Sequence, residues 1–175
     1  MTAQDAKRLQ ASAGAPQELD WNAVYADQLP RVYNYFRFRV SRSHDVEELT
    51  ARTFEKAWRA RAKYRRDLAG FSTWLFAIAR NVMTDNLRSN ALRTRASSFS
   101  DPTEQVTPEG NAILGSDMER LAVLTQGLAD RHKELIALKY GAELSNRMIA
   151  RVTGLTESNV GTTLQRIVER LRAQW

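Results

Sequence analysis

The stretch that decides the fold is 146-NRMIARVTGLTESNVGTTLQRIVERL-171, in which two helical patterns flank a break at Thr153-Gly154-Leu155-Thr156. Before the break, Ile149 and Val152 make one short apolar edge. After it, Val160, Leu164, Ile167, Val168 and Leu171 recur at the spacing of a single helix face. Gly154 suits the position just past a helix end, where a left-handed backbone costs least when there is no Cβ. Thr156 can cap the next helix, with Glu157 near its positive end. The reading is a helix, a tight turn and a helix, a pattern shared by DNA-binding modules and antiparallel helical hairpins. Residues outside the stretch have to choose between them.

With 175 residues the chain can bury one ordinary core or two small ones. It has no cysteine, which excludes a disulfide framework, a thiol nucleophile and a cysteine zinc site. His44 and His132 are the only imidazoles and stand far apart in sequence, against a metal centre or His-based catalysis. Neither a glycine-rich phosphate loop nor a Gly-x-Ser-x-Gly elbow occurs. No apolar run reaches the length of a membrane span, and the start MTAQDAKRLQASAGAPQ lacks the basic-then-apolar order of a signal peptide. The expectation is a cytoplasmic protein, not inserted in a membrane, that binds rather than catalyses and needs no cofactor or metal.

The net charge is +6, and its distribution divides the chain. Residues 20–95 hold 15 basic and 8 acidic side chains, and residues 119–175 hold 9 and 6, whereas residues 96–118 have four acids and no base. Two basic modules flanking an acidic strip favour a polyanionic partner, although basic faces are often merely solvated. The strip, ASSFSDPTEQVTPEGNAILGSDM, is too poor in apolar residues to offset the entropy of ordering, so it reads as a flexible linker. Fully extended it reaches roughly 75 Å at about 3.3 Å per residue, more than one turn of DNA at roughly 34 Å. The predicted architecture is all-α. It comprises a disordered tail over 1–19, a helical domain over 20–95, the acidic linker over 96–118 and a helix-turn-helix domain over 119–175.

The first module holds twelve of the fifteen aromatic residues and so the larger core. Trp21–Gln28 and Pro30–Val40 read as two helices, the second starting at Pro30 and facing inward with Tyr33, Phe36 and Val40. Ser43 can cap a helix running to about Ala62, with Val46, Leu49, Thr53, Phe54, Ala57 and Trp58 on its apolar side. Glu48 with Arg52 and Glu55 with Arg59 form two i,i+4 pairs on its polar side, a pattern also expected of any stiffened solvated face. After the loop KYRRDLAG, Ser72 can cap a helix whose Leu75, Ile78 and Val82 face the core while Asn81, Asp85 and Arg88 line another face. Aromatics beside an arginine-rich loop suit a single-strand site, where rings stack on bases and cations hold phosphates; most aromatics at helical spacing are core. Trp74 and Phe76 cannot both point inward with Leu75.

In order, these residues closely resemble a known family. The run 45-DVEELTARTFEKAWRARAKYRRDLAGFSTWLFAIARNVMTDNLR-88 resembles the central region of bacterial sigma factors of the extracytoplasmic-function type. The run 128-LADRHKELIALKYGAELSNRMIARVTGLTESNVGTTLQRIVERLR-172 resembles their C-terminal promoter-binding region. The resemblance implies core RNA polymerase, promoter DNA as duplex and as melted single strand, and an anti-sigma factor as partners. It assigns Glu48, Leu49, Arg52, Glu55 and Arg59 to polymerase docking. It assigns Lys63, Tyr64, Arg65, Arg66, Asn81, Asp85 and Arg88 to the minus-ten element. Asn159, Thr162, Thr163, Gln165 and Arg166 go to the minus-thirty-five element, with Arg147, Arg151 and Arg170 as phosphate contacts. Asn and Gln can read a base edge, and Arg can pair with guanine or hold a phosphate. The chain departs from the family pattern at Ala51 and Arg52, where Gln and Glu are frequent, at Met148, where an acid is usual, and at Gly161 and Thr163, where basic residues are common. A LuxR-type helix-turn-helix regulator and a helical interaction adaptor are the competing readings. The first would need a receiver of alternating strands and helices in the N-terminal half, which instead reads all-helical.

Overall fold

The computed structural model describes residues 20–66, 68–96, 124, 125 and 127–175. The N-terminal tail and nearly all of the acidic linker lie outside these residues. Among these residues the α-helices are, in order, α1 Trp21–Arg37, α2 Ser43–Ala60, α3 Phe71–Ala96, α4 Asp130–Ile136, α5 Asn146–Thr153 and α6 Glu157–Gln174. A 3₁₀ turn, Arg61–Lys63, extends α2, and a π turn, Ala137–Gly141, extends α4. No strand occurs among the described residues.

Asp20 starts α1 by accepting from the backbone N–H groups of Asn22 (3.0 Å) and Ala23 (3.2 Å). The helix then runs through Pro30 without the expected break. Proline there removes the N–H that would bond the Ala26 carbonyl. Buried Gln28, Val32, Tyr35 and Phe36 lie on both sides of it on one face, and their packing carries the helix across. The inward face is rotated from the expected one: Tyr35 is fully buried, while Tyr33 and Val40 are only half-buried.

Two expected caps are corrected. Ser43 is the first residue of α2 rather than its cap; Arg42 holds the cap position without a side-chain capping bond, and its carbonyl accepts from Val46 N–H at 3.2 Å. Ser72 lies inside the first turn of α3, where the Gly70 carbonyl accepts from Trp74 N–H at 3.1 Å. The inward side of α2 is Val46, Leu49, Thr50, Thr53 and Ala57. Thr50 and Thr53 are buried without cost because their hydroxyls donate to the carbonyls of Val46 (2.7 Å) and Leu49 (2.8 Å). On α3, Leu75, Phe76 and Val82 are fully buried and Ile78 is half-buried.

In the second half the reading of the turn holds. Gly154 has φ 76° just past α5, and Thr156 caps α6 by accepting from Asn159 N–H at 3.2 Å. Val160, Leu164, Ile167 and Leu171 are buried, Val168 half so, against Ile149 and Val152 of α5.

The two halves do not stand apart. The π turn packs on α1 and α5 packs on α3, so that both halves contribute to one continuous hydrophobic core. At Gly141 the approach is backbone to backbone: a Cβ there would lie 2.9 Å from the Asn34 carbonyl oxygen of α1.

Candidate nucleic-acid interface

Three solvent-facing surfaces carry the residues singled out from the sequence. The first is the outer side of α2, where Glu48, Arg52, Glu55 and Arg59 are exposed. Glu55 and Arg59 form the expected i,i+4 ion pair, whereas Glu48 and Arg52 do not pair. Leu49, assigned to the same surface, is only 3% exposed and belongs to the core, so it supports this surface from beneath and cannot touch a partner. Trp58, expected in the core, is 50% exposed instead. Its ring lies under the Arg61 guanidinium at 4.0 Å and edge-on to Trp21 at 5.3 Å. The signal was available: Arg61, three residues on, can reach back over an aromatic at a helix end.

The second surface joins the loop after α2 to the outer row of α3. Lys63, Arg65 and Arg66 are exposed. Tyr64 is half-buried against Phe71 (5.5 Å between ring centroids) and Trp74 (5.1 Å, tilted by 45°). Phe76 is the inward aromatic and Trp74 is half-exposed beside the loop, so the pair divides as steric reasoning required. Rings next to cations are the components of a platform for unstacked bases. Along α3, Asn81, Asp85 and Arg88 are all exposed on one row. Asp85 is not a bare negative charge, because Lys56 of α2 reaches it at 3.3 Å. Sequence reasoning missed Lys56, which no spacing within α3 could reveal. The pair is half-exposed on both sides and so orients more than it stabilises.

The third surface is the outer row of α6. Asn159, Thr162, Gln165, Arg166 and Arg170 are exposed, opposite the buried Val160, Leu164 and Ile167. Thr163 is half-buried and donates to Asn159 Oδ1 at 3.1 Å, so it orients Asn159 instead of standing free. Gln165 donates to Glu169 Oε1 at 3.0 Å. Arg166 makes no ion pair or hydrogen bond among the described residues. Arg147 and Arg151 are exposed on α5, toward the start of the same helix-turn-helix. Among the described residues no three of His, Cys, Asp or Glu gather as a metal site, and no helix is long and apolar enough to cross a membrane.

Comparison with known proteins agrees with this geometry. Residues 24–93, the segment that builds α1 to α3, match the family described as sigma-70 region 2. The chain is 28% identical over 165 residues to the extracytoplasmic-function RNA polymerase sigma factor SigL of Mycobacterium tuberculosis, covering 93% of this chain and 92% of that one. It is 28% identical over 151 residues to the sigma factor BldN of Streptomyces coelicolor, covering 85% of this chain but spanning only 57% of BldN's length. In fold it is similar to the sigma factor RpoE of Bartonella quintana, solved in complex with the anti-sigma factor NepR. That likeness has a TM-score of 0.74 at 21% identity and covers 88% of this chain and 95% of that one. An all-helical fold, a sigma-70 region 2 match over residues 24–93 and similarity over most of its length to sigma factors of the extracytoplasmic-function type thus concur for this chain.

Proposed function

We propose that the chain docks on core RNA polymerase through the outer side of α2, around Glu48, Arg52, Glu55 and Arg59, and directs promoter recognition, melting and transcription initiation. The loop from Lys63 to Arg66 and the α3 row of Asn81, Asp85 and Arg88 engage the melted minus-ten strand. The α6 row of Asn159, Thr162, Gln165 and Arg166 reads the minus-thirty-five duplex, with Arg147, Arg151 and Arg170 on phosphates. Residues 20–95 and 119–175 form the two functional modules, residues 96–118 join them, and residues 1–19 are a tail. The chain acts by binding and not by chemistry of its own, in the cytoplasm where polymerase works. As with the RpoE neighbour bound to NepR, an anti-sigma factor is its expected antagonist.

One observation carries this reading: each row assigned to DNA lies on the solvent side of its helix, directly opposite that helix's buried row. A reading helix needs this division, because the face that enters a groove cannot also hold the core. A LuxR-type regulator and an interaction adaptor are not favoured, since the first half has helices and no strand among its described residues and matches region 2.

The test is reconstitution with purified core polymerase on a promoter library randomised at the upstream element. The wild type should yield transcripts with a defined base profile. Arg166→Ala should flatten one or two upstream positions by the equivalent of about 1–3 kcal/mol and leave the minus-ten profile alone. Transcripts no more specific than those of core enzyme would refute the function, and an unchanged profile in the variant would refute direct reading by Arg166.

A further inference from the structure

Helix α3 outlasts the body it packs on. Its buried side chains end at Met83, and from Leu87 to Arg95 every residue is exposed. At about 1.5 Å per residue this free end is roughly 13 Å of helix. Composition changes along the same helix. The rings of Tyr64, Phe71 and Trp74 gather at its first turn, whereas no aromatic residue occurs from Ala77 to Ala96. Between Asn86 and Arg95 stand three arginines and no acid. Leu92 lies among them with 66% of its surface exposed. The negative end of the helix dipole accounts for arginines in a last turn. It does not account for an exposed leucine in register with them. Asn81, Asp85, Arg88, Leu92 and Arg95 recur at i+4, i+7, i+11 and i+14, on one stripe about 80° wide. Arg93 lies off that stripe, by roughly 120° from its midline.

Unstacked bases call for rings, while paired DNA keeps its bases stacked and offers phosphate and sugar. A helix with rings at one end and cations beside an aliphatic at the other fits the junction between melted and paired DNA. We propose that residues 87–95 are a duplex arm: Arg95 holds a phosphate of the paired DNA upstream of the melted minus-ten strand, and Leu92 packs on the adjoining deoxyribose. The arm grips without reading sequence. The proposal rests on the sigma-factor reading and on the place of the α3 row at the minus-ten element. Its direction follows from the chain, because the arm leads into residues 96–118, which connect to the module assigned to the minus-thirty-five element. From Asn81 to Arg95 the stripe runs roughly 21 Å, or about six nucleotides at about 3.4 Å each, twice the reach of the row that stops at Arg88. A cationic stripe without acid favours a polyanion over a second copy of itself, and its continuity with the α3 row makes that polyanion the same DNA.

The test uses holoenzyme assembled from core polymerase and the full chain, with binding to a promoter fork probe measured against salt. Arg95→Gln should lower the slope of log affinity on log salt by about 0.9, the value for one lost phosphate contact. Arg93→Gln, which removes the same charge off the stripe, should leave the slope near that of the wild type. Leu92→Gln should weaken binding at constant slope. All three positions are exposed, so helicity and melting temperature should not change. Methylphosphonate linkages in the upstream duplex should reduce wild-type binding to the level of Arg95→Gln, and Arg95→Gln should then add no further loss. On a single-stranded minus-ten oligonucleotide without flanking duplex, the wild type and Arg95→Gln should bind alike. Equal slopes for the wild type and Arg95→Gln would overturn the proposal. So would a loss of the same size on the single strand, which would place Arg95 on the melted strand, or a changed base preference upstream, which would make the arm a reader. Absence of any promoter binding by the wild-type holoenzyme would instead refute the sigma-factor reading, and the arm with it.

Discussion

Tyr35 shows most sharply how a single residue can work against the fold. Its side chain is fully buried, and among the described residues its hydroxyl has no hydrogen-bond partner. Burial pushes its ionisation far above the ordinary tyrosine range; nearby Arg39 opposes that shift, Glu134 adds to it and Arg80 opposes it. An unsatisfied buried hydroxyl costs about 1–3 kcal/mol, so Tyr35→Phe should stabilise the protein by up to that amount in urea unfolding at pH 8. Lower stability in the variant would mean that the hydroxyl has a partner after all. The sign of the pH effect follows from the same burial. Above about pH 10 the folded state keeps a proton that the unfolded chain loses, so this residue's contribution is intact below that pH and declines as pH rises. The variant should show a shallower alkaline loss. At this scale the sequence is legible where a residue's role is local: Asn81, Asp85 and Arg88 share an exposed row because they share a helix face. Lys56, which meets Asp85 from another helix, becomes visible only once α2 packs on α3.

Among the elements, α2 has the clearest division of labour, with threonines and aliphatics inward and alternating charge outward. Reversing charge at Glu48 and Glu55 together should leave the fold intact, since exposed charges usually change stability by less than about 0.5 kcal/mol. The same double variant should lose co-migration with core polymerase in size-exclusion chromatography. Undiminished co-migration would move the docking surface elsewhere. Helix ends were legible where the signal was a backbone requirement, as at Gly154, whose φ of 76° favours a residue without Cβ. They were misplaced where the signal was only a hydroxyl. Ser72 is engaged by Arg31 from a distant helix, and Pro30 is overridden by the apolar face on both sides of it.

For the molecule as a whole, one continuous core predicts one cooperative transition. Urea unfolding of the wild type should follow a single sigmoid. Arg80 of α3 pairs with Glu134 of α4 at 2.8 Å. Arg80→Glu should split the curve into two steps, each with a smaller denaturant slope because each exposes less surface. Two steps already present in the wild type would show that the halves unfold independently despite their contact. The all-helical class and the helix-turn-helix were open to reading because their periodicity is short-range. The contact between the halves was not, because its bonds join residues as far apart as Arg31 and Glu143, and arginines at 39 and 80 look like solvated charge until the halves meet.

The α3 row also limits how much sequence the first module can specify. At about 1.5 Å per residue, Asn81 to Arg88 spans roughly 10 Å, and a strand stacked at about 3.4 Å per nucleotide places some three bases along it. Three bases distinguish about 64 words, whereas a genome presents on the order of 10⁶ or more competing positions. A promoter address needs further letters, and under the proposed function the α6 row supplies them. Each module alone holds a fragment of the address, and unique addressing arises only when both fragments are read at a fixed spacing.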